Sequence, residues 1–95
     1  MNVDKWEKLS FPVQMGNIGS EINRVIYWKD NEQEKENALW RALELIDLTL
    51  NKRKSRELFR LREVICDLFL GNNIYKVSTD NLKEYFLQFA LLSQK

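Results

Sequence analysis

Carboxylates crowd two neighbouring stretches of this sequence, Glu44 and Asp47 in one and Glu57, Glu63 and Asp67 in the next. Brought together they would make a carboxylate metal site, but the Glu-x-x-His pairing that completes such sites in helical bundles is missing, because the chain has no histidine. The same lack removes the commonest general base, the usual activator of serine or cysteine nucleophiles and the commonest zinc ligand. Cys66, the single cysteine, lies in an apolar run and reads as packing. It also leaves no intramolecular disulfide and fits a reducing compartment. The carboxylates therefore read as solvated faces and ion pairs, with no metal, no cofactor and no catalytic residue expected.

Six of the fifteen basic residues fall between positions 52 and 62, at Lys52, Arg53, Lys54, Arg56, Arg60 and Arg62. At the end of one helix these charges complement the helix dipole; at the start of the next they oppose it, so Lys54 and Arg56 are badly placed for stability alone. Lys52, Arg53, Lys54, Arg56 and Arg60 are thus candidates for contact with an anion or an acidic partner. Aromatic interleaving and a nucleic-acid motif are both absent. Arg62 stands apart, within an apolar face between Leu58, Ile65 and Phe69. A buried arginine needs a partner, and Asp47 or Glu21 is expected to supply it as an internal ion pair.

The elements that position these residues are helical, and they are organised around the stretch from Gln14 to Trp28. Met15, Ile18, Ile22 and Val25 recur at steps of 3, 4 and 3 with Ile26 alongside, the spacing of one buried helix face. Gly16 and Gly19 lie beside that stripe, where each costs ~1 kcal/mol relative to alanine. Read alone, MGNIGS resembles a phosphate-binding turn, but no strand precedes it. The two glycines are expected to set how closely another helix, or a second subunit, approaches. Ser10 and Pro12 start this helix, which runs over 11–28.

The charged turn Lys29-Asp30-Asn31 ends it, and either Asp30 with Gln33 or Asn31 with Glu34 has capping-box spacing for a second helix near residue 31. Ser55 caps a third, reaching to Leu70, where Gly71-Asn72-Asn73 is a stop with glycine suited to the left-handed conformation. Ile74, Tyr75 and Val77 read as a short extended connection, and Ser78 or Thr79 caps the last helix. Its main face carries Leu82, Tyr85, Phe86, Phe89 and Leu92. Short links favour antiparallel neighbours. The expectation is an all-α fold, an up-down-up-down four-helix bundle in one domain over 1–95, with 1–9 as an N-terminal arm packing Trp6 and Leu9 back on it. In such an arrangement Asp30, Glu32, Glu34, Glu36 and Asp80 gather at the end opposite the basic segment.

Several apolar side chains fall outside these stripes. Phe59, Cys66 and Leu70 make a second face on the third helix, Leu87 and Leu91 point away from the main stripe of the fourth, and Leu48 is an outlier on the second. Contiguous patches of this kind mark interfaces, so a homodimer or a partner-protein surface is expected. Fifteen basic against fourteen acidic residues give a net charge of +1, which supplies no bulk attraction to nucleic acid or membrane. With no signal-peptide pattern and no apolar run long enough for a bilayer, the expected setting is the cytoplasm.

Two segments carry a resemblance. VQMGNIGSEINR, with RLREVICDLFLGNN across the third helix and its stop, resembles small bacterial helical-bundle proteins of unassigned role. More distantly the chain is similar to the HEPN class of compact helical domains, often found beside nucleotidyltransferases in toxin–antitoxin pairs. HEPN ribonucleases typically carry an arginine followed after about four to six residues by a histidine. Without histidine, neither Arg24 nor Arg60 takes that role. The resemblance implies a protein or RNA partner and not a nuclease. The two expectations are thus a non-catalytic interaction protein, or a degenerate HEPN-like protein associated with RNA or a nucleotidyltransferase.

Overall fold

A computed structural model describes residues 2–93 of the chain. Five helices form, and no strand occurs among the described residues: α1 Val3–Lys8, α2 Phe11–Tyr27, α3 Glu32–Lys52, α4 Arg56–Leu70 and α5 Thr79–Ser93. Each starts on a polar side chain that takes up otherwise unpaired N–H groups. Asn2 accepts from Asp4 N, Ser10 from Val13 N and Ser55 from Leu58 N. Of the two alternatives before α3, Asn31 is the cap, accepting from Glu34 N at 3.2 Å. Before α5 the cap is Ser78, which accepts from Asn81 N while the Asn81 side chain accepts from Ser78 N, both at 3.0 Å. This is capping-box reciprocity with asparagine in place of the usual glutamate.

Helix α2 lies at the centre, packed on α3 along one side and on α5 along another, while α3 also carries α1 and α4. The reason is its stripe: Met15, Ile18, Ile22 and Val25 have no exposed surface, and Ile46, Leu58 and Ile65 meet them from α3 and α4. Gln14 bonds Arg53 and Glu21 pairs with Arg41, so the start of α2 lies by the end of α3 and the two run antiparallel. Phe11 meets Phe89 edge-on at 5.9 Å between ring centroids, and Phe86 crosses α2 at Gly19. Glu57 on α4 accepts from the Tyr85 hydroxyl on α5, which joins the last two helices.

Three expectations are corrected. The N-terminal arm is a helix, fixed by Trp6: its ring is fully buried, its indole N–H donates to Thr49 Oγ1 at 3.0 Å, and its carbonyl accepts from the Gln14 amide at 2.8 Å. Gly71 is not left-handed, with φ −113° and ψ −153°. Glycine suits it because a Cβ there would sit 3.0 Å from the Asp67 carbonyl oxygen. The left-handed residues are Asn73 and Lys76, both at φ 53°, so 72–77 is a curled loop and not an extended connection. Asp67 sets the curl by accepting from Ile74 N at 2.9 Å and Tyr75 N at 3.0 Å.

Candidate interaction surface

Four of the five carboxylates considered as metal ligands have other work. Asp67 holds the loop, Glu63 accepts from the Tyr75 hydroxyl, Glu57 from Tyr85, and Asp47 from Arg62. Among the described residues no group of three histidine, cysteine, aspartate or glutamate side chains is arranged to hold a metal ion. The phenol pKa of Tyr75 is raised, first by its bond to Glu63; that of Tyr85 is raised further, first by burial and then by Glu57.

The expected internal ion pair is reassigned. Arg62 does meet Asp47, with Nε 2.8 Å from Oδ1, and that bond raises its pKa. Both side chains are well exposed, however, because the Arg62 stem packs while its head reaches water. The buried charge is Glu21, whose carboxylate is clasped between Arg24 on its own helix and Arg41 on α3. Removing α2's anion from water is compensated by two cations, and the pair fixes the register of α2 on α3.

Within the basic segment the structure separates two groups. Arg53, although exposed, lies back along α2, its Nε 3.0 Å from Gln14 Oε1 and its guanidinium 5.4 Å from the Phe11 ring centroid. Arg60 stacks on Tyr75 at 5.0 Å. Lys52, Lys54 and Arg56 are exposed and form no ion pair among the described residues. They do not converge with Arg60 on one pocket; the cavity beside Arg53 and Lys54 is bounded by Phe11 and Ser55.

A concavity of about 680 Å³ runs between α2 and α5. Its α2 lining is Gly16, Gly19, Ser20, Asn23, Ile26 and Tyr27, of which Gly16, Ser20, Asn23 and Tyr27, at steps of 4, 3 and 4, form a second face of the same helix whose first face is the core. The α5 lining is Phe86, Leu87 and Ala90 together with the charged Lys83 and Glu84. The two glycines have different roles here. Gly19 is buried, and a Cβ on it would lie 2.8 Å from Phe86 Cβ and Cγ, so it lets α5 close on α2. Gly16 has nothing within 4 Å of the same position and leaves a furrow open to solvent. Ser20 turns its hydroxyl onto the Gly16 carbonyl at 3.1 Å, so its polar end is spent within the helix.

Leu87 lines that furrow and is 56% exposed; Leu91, one helical turn further on and outside the lining, is 57% exposed. Leu48, expected on the surface, is half-buried against the core and edges a separate cavity with Trp40 and Arg62. Phe59 and Leu70 are exposed as expected, while Cys66 is half-buried with its sulfur 3.9 Å from Arg62 Nη1. Sequence reasoning missed Trp40, 61% exposed, although its position on the flank of the Leu39, Ala42, Leu43 and Ile46 stripe carries that signal. It also passed over Tyr27, Lys83 and Glu84 as groove residues, since nothing local announces which solvent face of α5 adjoins α2. No family model, curated protein or solved structure matches the chain.

Proposed function

We propose that this chain is a non-catalytic helical protein that acts by homodimerisation or by binding another protein. Its four longer helices form an up-down-up-down bundle with α1 strapped across α3. The observation that carries the reading is the pair Leu87 and Leu91, on successive turns of α5 and each more than half exposed, the first of them lining an open groove. Fully burying a leucine is worth roughly 1.5–3 kcal/mol, and with a little over half of each side chain still exposed a partner that seats both gains roughly 2–3 kcal/mol before the cost of association. The free thiol of Cys66 suits a reducing, cytoplasmic setting. Light scattering over a wide range of protein concentration, together with co-purification from the native host, tests the reading. A chain that stays monomeric when concentrated and co-purifies with no protein would refute it.

A second reading is association with RNA, as a degenerate HEPN-like protein or beside a nucleotidyltransferase. It is supported by Lys52, Lys54 and Arg56, exposed cations at one end of the molecule that oppose the α4 dipole in part. Binding of a short RNA that falls steeply with salt would promote it, and no binding at low salt would remove it.

A further inference from the structure

We infer that the α2–α5 groove is a twofold interface between two copies of this chain, in which Leu87 of each copy seats in the furrow over Gly16 and Ser20 of the other. This rests on the interaction reading above and names its partner and its surface.

Three observations select a second copy as the occupant. First, the patch carries both halves of a helix-packing contact: α5 contributes the ridge, Leu87 followed one turn later by Leu91, and α2 contributes the furrow opened by Gly16. An isologous contact needs ridge and hole on the same patch, because residue i of one copy meets residue j of the other and the reverse holds at once. A foreign helix would need only one of them. Second, the edge of the groove carries both signs of charge side by side, Lys83 and Glu84. Across a twofold axis, Lys83 of one copy faces Glu84 of the other, so the rim complements itself. A basic or acidic partner would leave one of the two opposed.

Third, the size suits. A stable interface takes roughly 800 Å² from each partner, about one eighth of the 6372 Å² surface of this chain. One long side of a body whose Cα extents are 34 × 24 × 24 Å is roughly a fifth of its faces, so the twofold contact takes in most of the α2–α5 side and not the groove alone. The floor of the groove does not collapse on association: Gly19 already holds Phe86 against α2, and the Gly16 furrow is preformed.

Sedimentation equilibrium of the full chain and four variants tests this. Leu87→Glu removes the ridge, and Gly16→Leu fills the furrow with a side chain whose Cβ meets nothing in the monomer. Each is expected to weaken the dimer by about thirtyfold or more, the effect of a central hot-spot residue, while the thermal unfolding of the diluted monomer is retained. Lys83→Glu alone weakens the dimer, and Lys83→Glu with Glu84→Lys restores it. In the unaltered chain, isotope-filtered NOEs should connect Leu87 methyls of one copy to Gly16 or Ser20 protons of the other, a readout that needs no variant to fold. A dimer indifferent to Gly16→Leu and Leu87→Glu, or lacking those NOEs, overturns this interface and leaves the interaction reading standing through another surface. A strict monomer overturns the second copy itself; if that monomer captures a defined partner whose binding Leu87→Glu abolishes, the groove serves a foreign protein instead.

Discussion

Two glycines three residues apart in one helix are expected to respond in opposite ways to the same substitution. Gly16→Ala places a methyl in open space and gains helix propensity, so it should raise stability by up to ~1 kcal/mol. Gly19→Ala gains the same propensity but drives its methyl onto Phe86 Cβ and Cγ at 2.8 Å. Those atoms lie at the root of the side chain and move only if α5 moves. Overpacking of that kind costs roughly 1–3 kcal/mol, which outweighs the gain, and Gly19→Leu should be worse. Urea denaturation of the two alanine variants, monitored at a concentration where the chain is monomeric, shows the contrast; equal stabilisation by both would mean that α5 does not close on Gly19. Tyr85 supplies a second test at this scale. Burial and Glu57 raise its folded pKa above the ordinary ~10 of tyrosine. The folded state then holds a proton that the unfolded state releases, so stability is unaffected below pH ~10 and falls as pH rises beyond it. The slope is at most about 1.4 kcal/mol per pH unit and smaller for a half-exposed phenol. In Tyr85→Phe this fall should be shallower than in the unaltered chain, measured as chemical unfolding between pH 9 and pH 11 (roughly one unit either side of the ordinary value).

At the scale of elements, the short N-terminal helix depends on one buried side chain. Trp6 donates to Thr49 Oγ1, and the Thr49 hydroxyl in turn donates to the Leu45 carbonyl at 2.8 Å, so the indole N–H is satisfied only through that relay. Thr49→Val keeps the volume and strands the donor, a loss of about 1–3 kcal/mol; Trp6→Ala empties the site and should cost about 3–5 kcal/mol. Hydrogen exchange should show α1 amides opening in both variants before those of α2 do. If Thr49→Val leaves exchange in α1 unchanged, the relay is not what holds it. This dependence also marks the limit of what the sequence made legible. The α2 stripe, the Ser10 and Ser55 caps, the main faces of α3 and α4 and Leu82, Phe86 and Phe89 on α5 follow from spacing, since local periodicity and capping chemistry decide them, whereas Leu92, expected on the same α5 face, is 47% exposed. A six-residue helix carries too little periodicity to announce itself, and its existence is decided by Thr49, forty-three positions away. The same holds for Glu21: its place at the edge of the stripe is visible, but its burial requires Arg41 from another helix. Gly71 and Lys76 invert the local rule, because the Asp67 carboxylate reaches over and sets the path of the loop. The groove was legible only as its parts, since a spacing shows that Leu87 leaves the core stripe but not that it lines one groove with Gly16.

For the whole molecule, charge and apolar surface make competing claims on how copies meet, and salt separates them. Lys52, Lys54 and Arg56 lie at the α3–α4 turn, whereas Asp30, Glu32, Glu34 and Asp80 flank the starts of α3 and α5. Since α2 and α3 run antiparallel, the acidic α2–α3 link and the basic α3–α4 turn are at opposite ends of α3. Copies joined pole to pole would be held by exposed charges, and screening shortens from ~10 Å at 0.1 M to ~3 Å at 1 M salt. Such association should be largely lost over that range. A groove dimer behaves differently, because Leu87 and Leu91 contribute through area removed from water and the rim pair of Lys83 and Glu84 contributes no more than ~1 kcal/mol per exposed pair. Its dissociation constant should rise by less than about tenfold between 0.1 M and 1 M sodium chloride, and sulfate should tighten it by strengthening apolar burial. Sedimentation at both chloride concentrations and in sulfate measures this directly. Dimers that dissolve in chloride and gain nothing in sulfate would place association at the charged poles, and would make the basic turn, not the α2–α5 groove, the working surface of this protein.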